Sequence, residues 1–155
     1  MARIIVLDSG PLGDACRRSG HPDGDCLRDW LDQANTNRAI IAIPEIVDYE
    51  VRRELLRAGA AGGIRRLDLL WHDPRHQMHY IPITTAAMLM AAELWADARN
   101  RGIGTADDQA IDADVILAAQ ARLFTGLSDT LVVATENRRH LSRYLDARHW
   151  KDITP

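Results

Sequence analysis

The 155-residue chain is short of cysteine, short of aromatic side chains and has no long apolar run. Its two cysteines, Cys16 and Cys26, form no Cys-x-x-Cys pair, which excludes a disulfide framework and a zinc ribbon. Both read as small buried or half-buried apolar residues. No stretch is long enough to cross a bilayer, and Met-Ala-Arg-Ile-Ile-Val-Leu-Asp meets an acid too early for a signal peptide. The expectation is a cytoplasmic protein with no membrane partner. Positive charge is not in excess either: 19 basic and 22 acidic residues leave a net charge of −3. That excludes wrapping of duplex nucleic acid through bulk charge and leaves room only for a local basic patch. Repeats, low-complexity segments and linkers are absent, so residues 1–155 read as one domain. With 46% hydrophobic and 26% charged residues the composition is globular, not disordered.

What is present is an alternation of two periods. Ile4 to Leu7, Ala39 to Ile43 and Thr130 to Ala134 are continuous apolar runs of the kind buried on both faces of a parallel sheet. Tyr80 to Ile83 is a weaker strand candidate, because Pro82 confines it to an edge or disqualifies it. Between these runs the spacing is helical. Pro22 to Ala34 sets Cys26, Leu27, Trp30 and Leu31 on one face, and Glu45 to Ala58 follows Pro44 with a broad apolar face from Ile46 to Leu56. Gly62-Gly63 reads as an interruption before a helix carrying Ile64 to Trp71. Thr84-Thr85 caps a helix from Ala86 to Asn100 that closes at Gly102, and Asp112 to Leu123 and His140 to Leu145 complete the set. The loop Gly102 to Gln109 carries no periodic apolar residue. Solid apolar strands alternating with helices predict an α/β fold, a three-layer α/β/α sandwich around a central parallel sheet.

Most of the 22 acids are surface solubility, but four polar positions fall where chemistry is done. Asp8 stands directly after a buried strand, at the carboxyl edge where open α/β sheets place their ligands, although an aspartate there also caps turns. Glu50 lies about two turns into its helix, close to the apolar face, beside Arg53 and Glu54 as structural partners. Asp112 and Asp114 open a predicted helix, where aspartates also cap amides. Asn137 follows the third strand. Three carboxylates and a carboxamide from separate elements suit a hard divalent cation, magnesium or manganese, which takes oxygen ligands and keeps water.

Ile-Ile-Val-Leu-Asp-Ser-Gly-Pro-Leu, Ile-Pro-Glu-Ile-Val-Asp-Tyr-Glu-Val-Arg-Arg-Glu-Leu, Asp-Ala-Asp-Val-Ile-Leu-Ala-Ala-Gln-Ala and Val-Val-Ala-Thr-Glu-Asn occur in that order over nearly the whole chain. Together they resemble the signature set of PIN domains, a family that includes the VapC-type ribonuclease toxins. Carried over by position, the family's first acid falls on Asp8, with Ser9 beside it. The helix glutamate falls on Glu50, six residues after Pro44, the third acid on Asp114, and the polar residue of the Thr-x-Asn/Asp motif on Asn137. The resemblance implies a metal-dependent ribonuclease acting on an RNA substrate, with Asp8, Glu50 and Asp114 binding Mg2+ or Mn2+ and Asn137 supporting them. It also implies a homodimer and, for toxins, an antitoxin partner. The rival expectation is a PIN-like module that binds RNA or protein without cutting. The sequence departs from the family at His140, where many relatives carry aspartate, in the length of the stretch holding Phe124 to Ser128, and in having Asn137 instead of an acid.

Other signals are weaker. Arg52, Arg53, Arg57, Arg65 and Arg66, and Arg138, Arg139 and Arg143, read as solvated charge, those nearest the acids being suited to steering phosphates. His72, His76 and His79 have no completing ligands, and Pro74 breaks the helix that would align them. Tyr49, Trp71, Trp95 and Tyr144 fall at helical spacing and are expected in the core. No Gly-rich loop follows the first strand, and Gly10 stands where an aspartyl phosphotransferase needs a second acid.

Overall fold

The computed structural model describes residues 1–72, 78–102 and 108–155, with the backbone alone for Trp71 and residues 108–111. The chain begins with β1 (Arg3–Leu7), α1 (Ser9–Ala15) and α2 (Pro22–Thr36). It continues through β2 (Ile40–Pro44), α3 (Glu45–Arg57), α4 (Ala61–His72), β3 (Met78–Ile81) and α5 (Thr85–Asn100). The remainder is α6 (Asp108–Phe124), β4 (Thr130–Thr135), α7 (Arg138–Leu141), β5 (Ala147–His149) and a 3-10 turn at Trp150–Asp152.

The strands form one sheet in the order β3-β2-β1-β4-β5, parallel at every pair. β1 lies in the middle because its side chains demand it. Ile4, Ile5, Val6 and Leu7 are at most 2% exposed although neighbours along a strand point to opposite faces, so helices must cover both sides. Burying those four side chains contributes on the order of 6–12 kcal/mol gross. The result is the three-layer α/β/α architecture expected from the alternation. β2 and β3 were laid down on one side of β1, and β4 and β5 on the other. The chain order thus reverses between β1 and β4, and ligand crevices of open α/β sheets form beyond the strand ends at such a reversal.

Several local expectations are corrected. α1 was not anticipated, since Ser-Gly-Pro-Leu-Gly reads as loop; Pro11 is tolerated because it lies in the first turn, and Asp8 caps the helix by accepting from the Ser9 amide. Gly62 and Gly63 do not interrupt but lie inside α4, where a Cβ on Gly63 would come within 2.7 Å of Leu55. β3 ends just before Pro82 and is an edge strand, as that proline requires. Gly102, at φ +71°, follows the end of α5 as expected. α7 begins at Arg138 instead of His140, leaving room for β5 beyond it. α6 starts at Asp108, so Asp112 and Asp114 lie one turn inside the helix and cap nothing. Residues 103–107 of the expected loop, together with Pro74, His76 and the Trp71 side chain, lie outside the described residues.

The aromatic and cysteine expectations also shift. α3 buries only the stripe Ile46, Val47, Asp48 and Val51. Tyr49 is therefore 54% exposed, with the Arg53 guanidinium 5.2 Å from its ring, and Leu56 is exposed too. Trp95 on α5 is partly exposed under Arg99. Cys16 is buried and its thiol is pushed up to about 12 by burial, whereas Cys26 is exposed on α2. Trp30 is buried as expected, edge-on to Trp150 and donating its indole N–H to the Ile153 carbonyl at 2.9 Å.

Candidate active site

The site is built around the ends of the two central strands. Leu7 of β1 is in register with Ala134 of β4, so the next residues, Asp8 and Thr135, face one another at the carboxyl edge. The Asp8 carboxylate is fixed at both oxygens: Oδ1 accepts from the Ser9 amide at 2.8 Å, and Oδ2 accepts from the Thr135 hydroxyl at 2.7 Å. Thr135 is fully buried, and its oxygen also accepts the Asn137 amide at 2.9 Å. One hydroxyl therefore sets both the rotamer of Asp8 and the turn that presents Asn137.

Two further carboxylates come from helices. Glu50 stands midway along α3, with 23% of its side chain exposed and Arg53 Nη2 3.9 Å away. Burial raises its carboxyl above the usual range, the Asp8 charge raises it further, and Arg53 opposes both. Asp114 lies on α6 with 20% of its side chain exposed. Its carboxyl is pushed up to about 7, first by burial, then by the negative charges of Asp8 and Glu50, against the pull of Arg143. His140 Nδ1 lies 3.8 Å from Asp114 Oδ2. The Asp8 charge thus acts on both Glu50 and Asp114, and Glu50 on Asp114, and carboxylates crowded in this way are a place where positive charge is wanted.

Asn137 is exposed at the start of α7 with no side-chain cap, and it is held by its backbone. Asp112, two residues before Asp114 and so about half a turn round the helix, faces elsewhere: it lines a cavity of about 370 Å³ with Met88, Trp95 and Val115 between α5 and α6. Glu136 turns toward α1, where its carboxyl is raised by burial and by a hydrogen bond with Asp14. Its side chain fills the space over Gly10, where a Cβ would meet Glu136 Oε2 at 2.8 Å.

The donors are hard oxygens of the kind magnesium and manganese prefer. Among the described residues, no three Asp, Glu, His or Cys side chains are grouped closely enough to hold a metal ion by themselves. Among the described residues no histidine cluster forms either: His79 is exposed, its ring 6.0 Å from that of Phe124, and His76 lies outside the described residues.

Sequence reasoning placed Asp8, Glu50 and Asp114 in one site; the structure sets them within electrostatic reach of one another, and among the described residues it groups no three ligands around a metal position. It missed the Thr135 hydroxyl, whose signal was the threonine of Thr-x-Asn itself; Arg143, one of the arginines expected near the acids, acts on Asp114.

The chain matches no family model and no curated protein. Its fold does have relatives among solved structures. A chain of VapBC2 from Rickettsia felis, bound to a DNA fragment from its promoter, superposes with a TM-score of 0.68 at 17% identity, covering 95% of this chain and 98% of that one. The fold is PIN-like. FitAcB from Neisseria gonorrhoeae matches this PIN-like chain with a TM-score of 0.64 at 16% identity over 96% and 99% of the two chains. VapBC from Salmonella typhimurium, bound to DNA, matches at 0.59 and 18% identity over 97% and 99%. Nearly full coverage of both partners means that the PIN-like fold here carries no large insertion relative to them. Among the described residues, no helix is long and apolar enough to cross a membrane.

Proposed function

We propose that this protein is a metal-dependent ribonuclease that hydrolyses phosphodiester bonds in RNA. The observation that carries the reading is the crowding of Asp8, Glu50 and Asp114 in the crevice beyond β1 and β4, where the Asp8 charge acts on both of the other acids and Glu50 on Asp114. In this reading those three carboxylates hold magnesium or manganese, and the Asn137 carboxamide supports them. The bound cation supplies Lewis-acid chemistry, offsetting charge at phosphorus and making water a better nucleophile. The chain's own contribution is placement. Thr135 and the Ser9 amide lock Asp8, burial keeps bulk water from screening Glu50 and Asp114, and Arg53 and Arg143 offset the acids' repulsion of a phosphate.

The relatives crystallised as VapBC complexes support a toxin restrained by an antitoxin protein. A homodimer belongs to the same reading, and the exposed Met88, Leu89 and Trp95 on α5 are apolar surface for it to cover. Cleavage of a mixed RNA pool with manganese and with chelator tests the proposal. Manganese-dependent cleavage that disappears in Asp8→Asn supports it, and equal cleavage by both proteins overturns it. The second reading, an RNA- or protein-binding module that does not cut, is favoured by the open arrangement of the acids. It predicts RNA or protein binding with no cleavage under either condition.

A further inference from the structure

A cavity of about 780 Å³ opens beside the acids and runs between α1, α3 and the start of α4. Ser9 and Glu50 line its near end, so it is continuous with the proposed cutting site, and Arg57 lies near its far end. Glu50 and Arg57 are seven residues apart on α3, a rise of about 10 Å.

Charge pairing within the trench is uneven. Arg17 pairs with Asp14 at 2.9 Å, Arg57 with Glu54 at 2.9 Å, and Arg53 lies between Glu50 and the Tyr49 ring. Arg18 has no side-chain partner among the described residues. Arg66 donates only its Nε, to the Cys16 carbonyl at 2.5 Å, which anchors the guanidinium and leaves both terminal nitrogens for something else. Glu136, the remaining acid there, is bonded to Asp14 and raised toward its neutral form. Two unspent guanidinium groups remain, one held in place, and a planar fork of this kind suits phosphate oxygens. Of the 19 basic residues in the chain, only Lys151 is not arginine.

Gly13 is the independent observation. It lies inside α1 and lines the trench, where glycine costs a helix about 1 kcal/mol relative to alanine. Packing does not require it: a Cβ there would meet nothing within 4 Å, whereas Cβ atoms at Gly10 and Gly63 would collide with Glu136 and Leu55. A bare helix surface over open space is what close approach by another chain's backbone needs.

We infer that this trench is a subsite for the RNA strand flanking the cut, with Arg66 and Arg18 taking its phosphates and Gly13 letting the sugar-phosphate backbone pass close to α1. The inference rests on the ribonuclease reading for the identity of the strand. RNA is favoured over a peptide because the trench reaches Glu50 and Ser9, the neighbour of Asp8, at the site where a phosphodiester would be cut, and any such strand must continue away from that point.

Anisotropy of a short fluorescein-labelled single-stranded RNA, titrated in chelator at several salt concentrations, tests it without cleavage. Arg18 is exposed and unpaired, so Arg18→Ala leaves the fold alone; it is expected to weaken binding several-fold and reduce the salt slope by about 0.7. Arg66→Gln is expected to do the same, with Arg66→Lys restoring part of the slope. Gly13→Leu fills open space and is expected to weaken binding at every salt concentration. Arg101→Ala, which removes only the pair with Asp97 outside the trench, serves as the control. Wild-type affinity and slope in both Arg18→Ala and Gly13→Leu would overturn the inference. So would variants that keep RNA but lose an acidic peptide, since the trench would then be a protein groove. Trench-dependent RNA binding by a wild-type protein that cuts nothing with manganese sinks the ribonuclease reading and supports the subsite. Manganese-dependent cutting with undiminished binding by the variants does the opposite.

Discussion

The Thr135 hydroxyl donates to Asp8 Oδ2 at 2.7 Å across 127 positions of sequence, joining the ends of the two central strands by a bond between side chains. The same oxygen accepts the Asn137 amide, so it is used in both directions and cannot be replaced by a methyl group without orphaning two partners. Thr135→Ser is expected to keep activity and stability. Thr135→Val, nearly the same shape, is expected to cost about 1–3 kcal/mol in chemical denaturation and to lower kcat more than it raises KM. Equal behaviour of the two variants would remove Thr135 from the site.

Asp114 gives the chain a pH signature. Its folded pKa, near 7, exceeds the ordinary aspartate value of 3.8, so the folded state holds a proton that the unfolded chain releases. That contribution to stability is complete below pH 3.8, declines as the pH rises, and is gone above about 7. In chelator, Asp114→Asn is expected to flatten this decline and to raise stability at pH 8 by about 1–2 kcal/mol, discounted for the partial exposure of the group. Thermal melts from pH 4 to pH 8 check it, and a less stable Asp114→Asn at pH 8 contradicts it.

Metal binding should follow the count of charges. With Asp8, Glu50 and Asp114 as the anions, calorimetric titration is expected to give one manganese site of modest affinity and none in Asp8→Asn. Asn137 has no side-chain hydrogen bond to lose as a cap, and Asn137→Asp adds one charge worth about 1 kcal/mol at close range in water. Binding should tighten several-fold. Two tight sites in the unmodified protein would place a fourth ligand elsewhere.

Asp112 and Asp114 separate cleanly although they are two residues apart. Asp112 lines the cavity with Met88 and Trp95, on another face of α6. Asp112→Asn is therefore expected to cleave RNA at close to the wild-type rate, whereas Asp114→Asn is expected to be inactive. Comparable loss in both would show that the two acids share the site.

Gln120 is the buried polar tie beneath these helices. It is 1% exposed, donates to the Ile81 carbonyl at the end of β3 and accepts from the Ile46 amide in the first turn of α3. Gln120→Leu leaves both backbone groups unpaired and is expected to cost about 2–4 kcal/mol. Because the residue joins α6, which carries Asp114, to α3, which carries Glu50, manganese affinity measured by calorimetry should fall as well. Unchanged stability would mean that water replaces both bonds.

What could be read ahead of the structure follows from how strongly each residue constrains its surroundings. Ile4 to Leu7 are apolar without a break, and only a strand covered on both sides accommodates that. Asp8 was legible because it ends that run. α1 was hidden, since Gly10, Pro11 and Gly13 argue for loop, and only the cap from Asp8 and the first-turn place of Pro11 make it a helix. Ala147-Arg148-His149 has no strand pattern, and β4 recruits it by pairing Val133 with Ala147. Tyr49 and Trp95 obey helical spacing yet stay half outside, because the buried stripes of α3 and α5 are narrower than the apolar content suggests. Periodicity gives a face; how deep that face sinks depends on what packs against it.

The order of strands in the sheet also imposes an order in time. β1 leaves the ribosome long before β4 and acquires that neighbour only after residue 130 has been made, because the two are paired from Arg3↔Thr130 to Leu7↔Ala134. Until then a nascent chain carries Asp8, Glu50 and Asp114 without the strand that aligns Asp8 or the hydroxyl that holds it. Such long-range parallel pairing is also slow to form. A chain that cuts RNA would thus stay harmless to the message and ribosome producing it until β4 had emerged and paired.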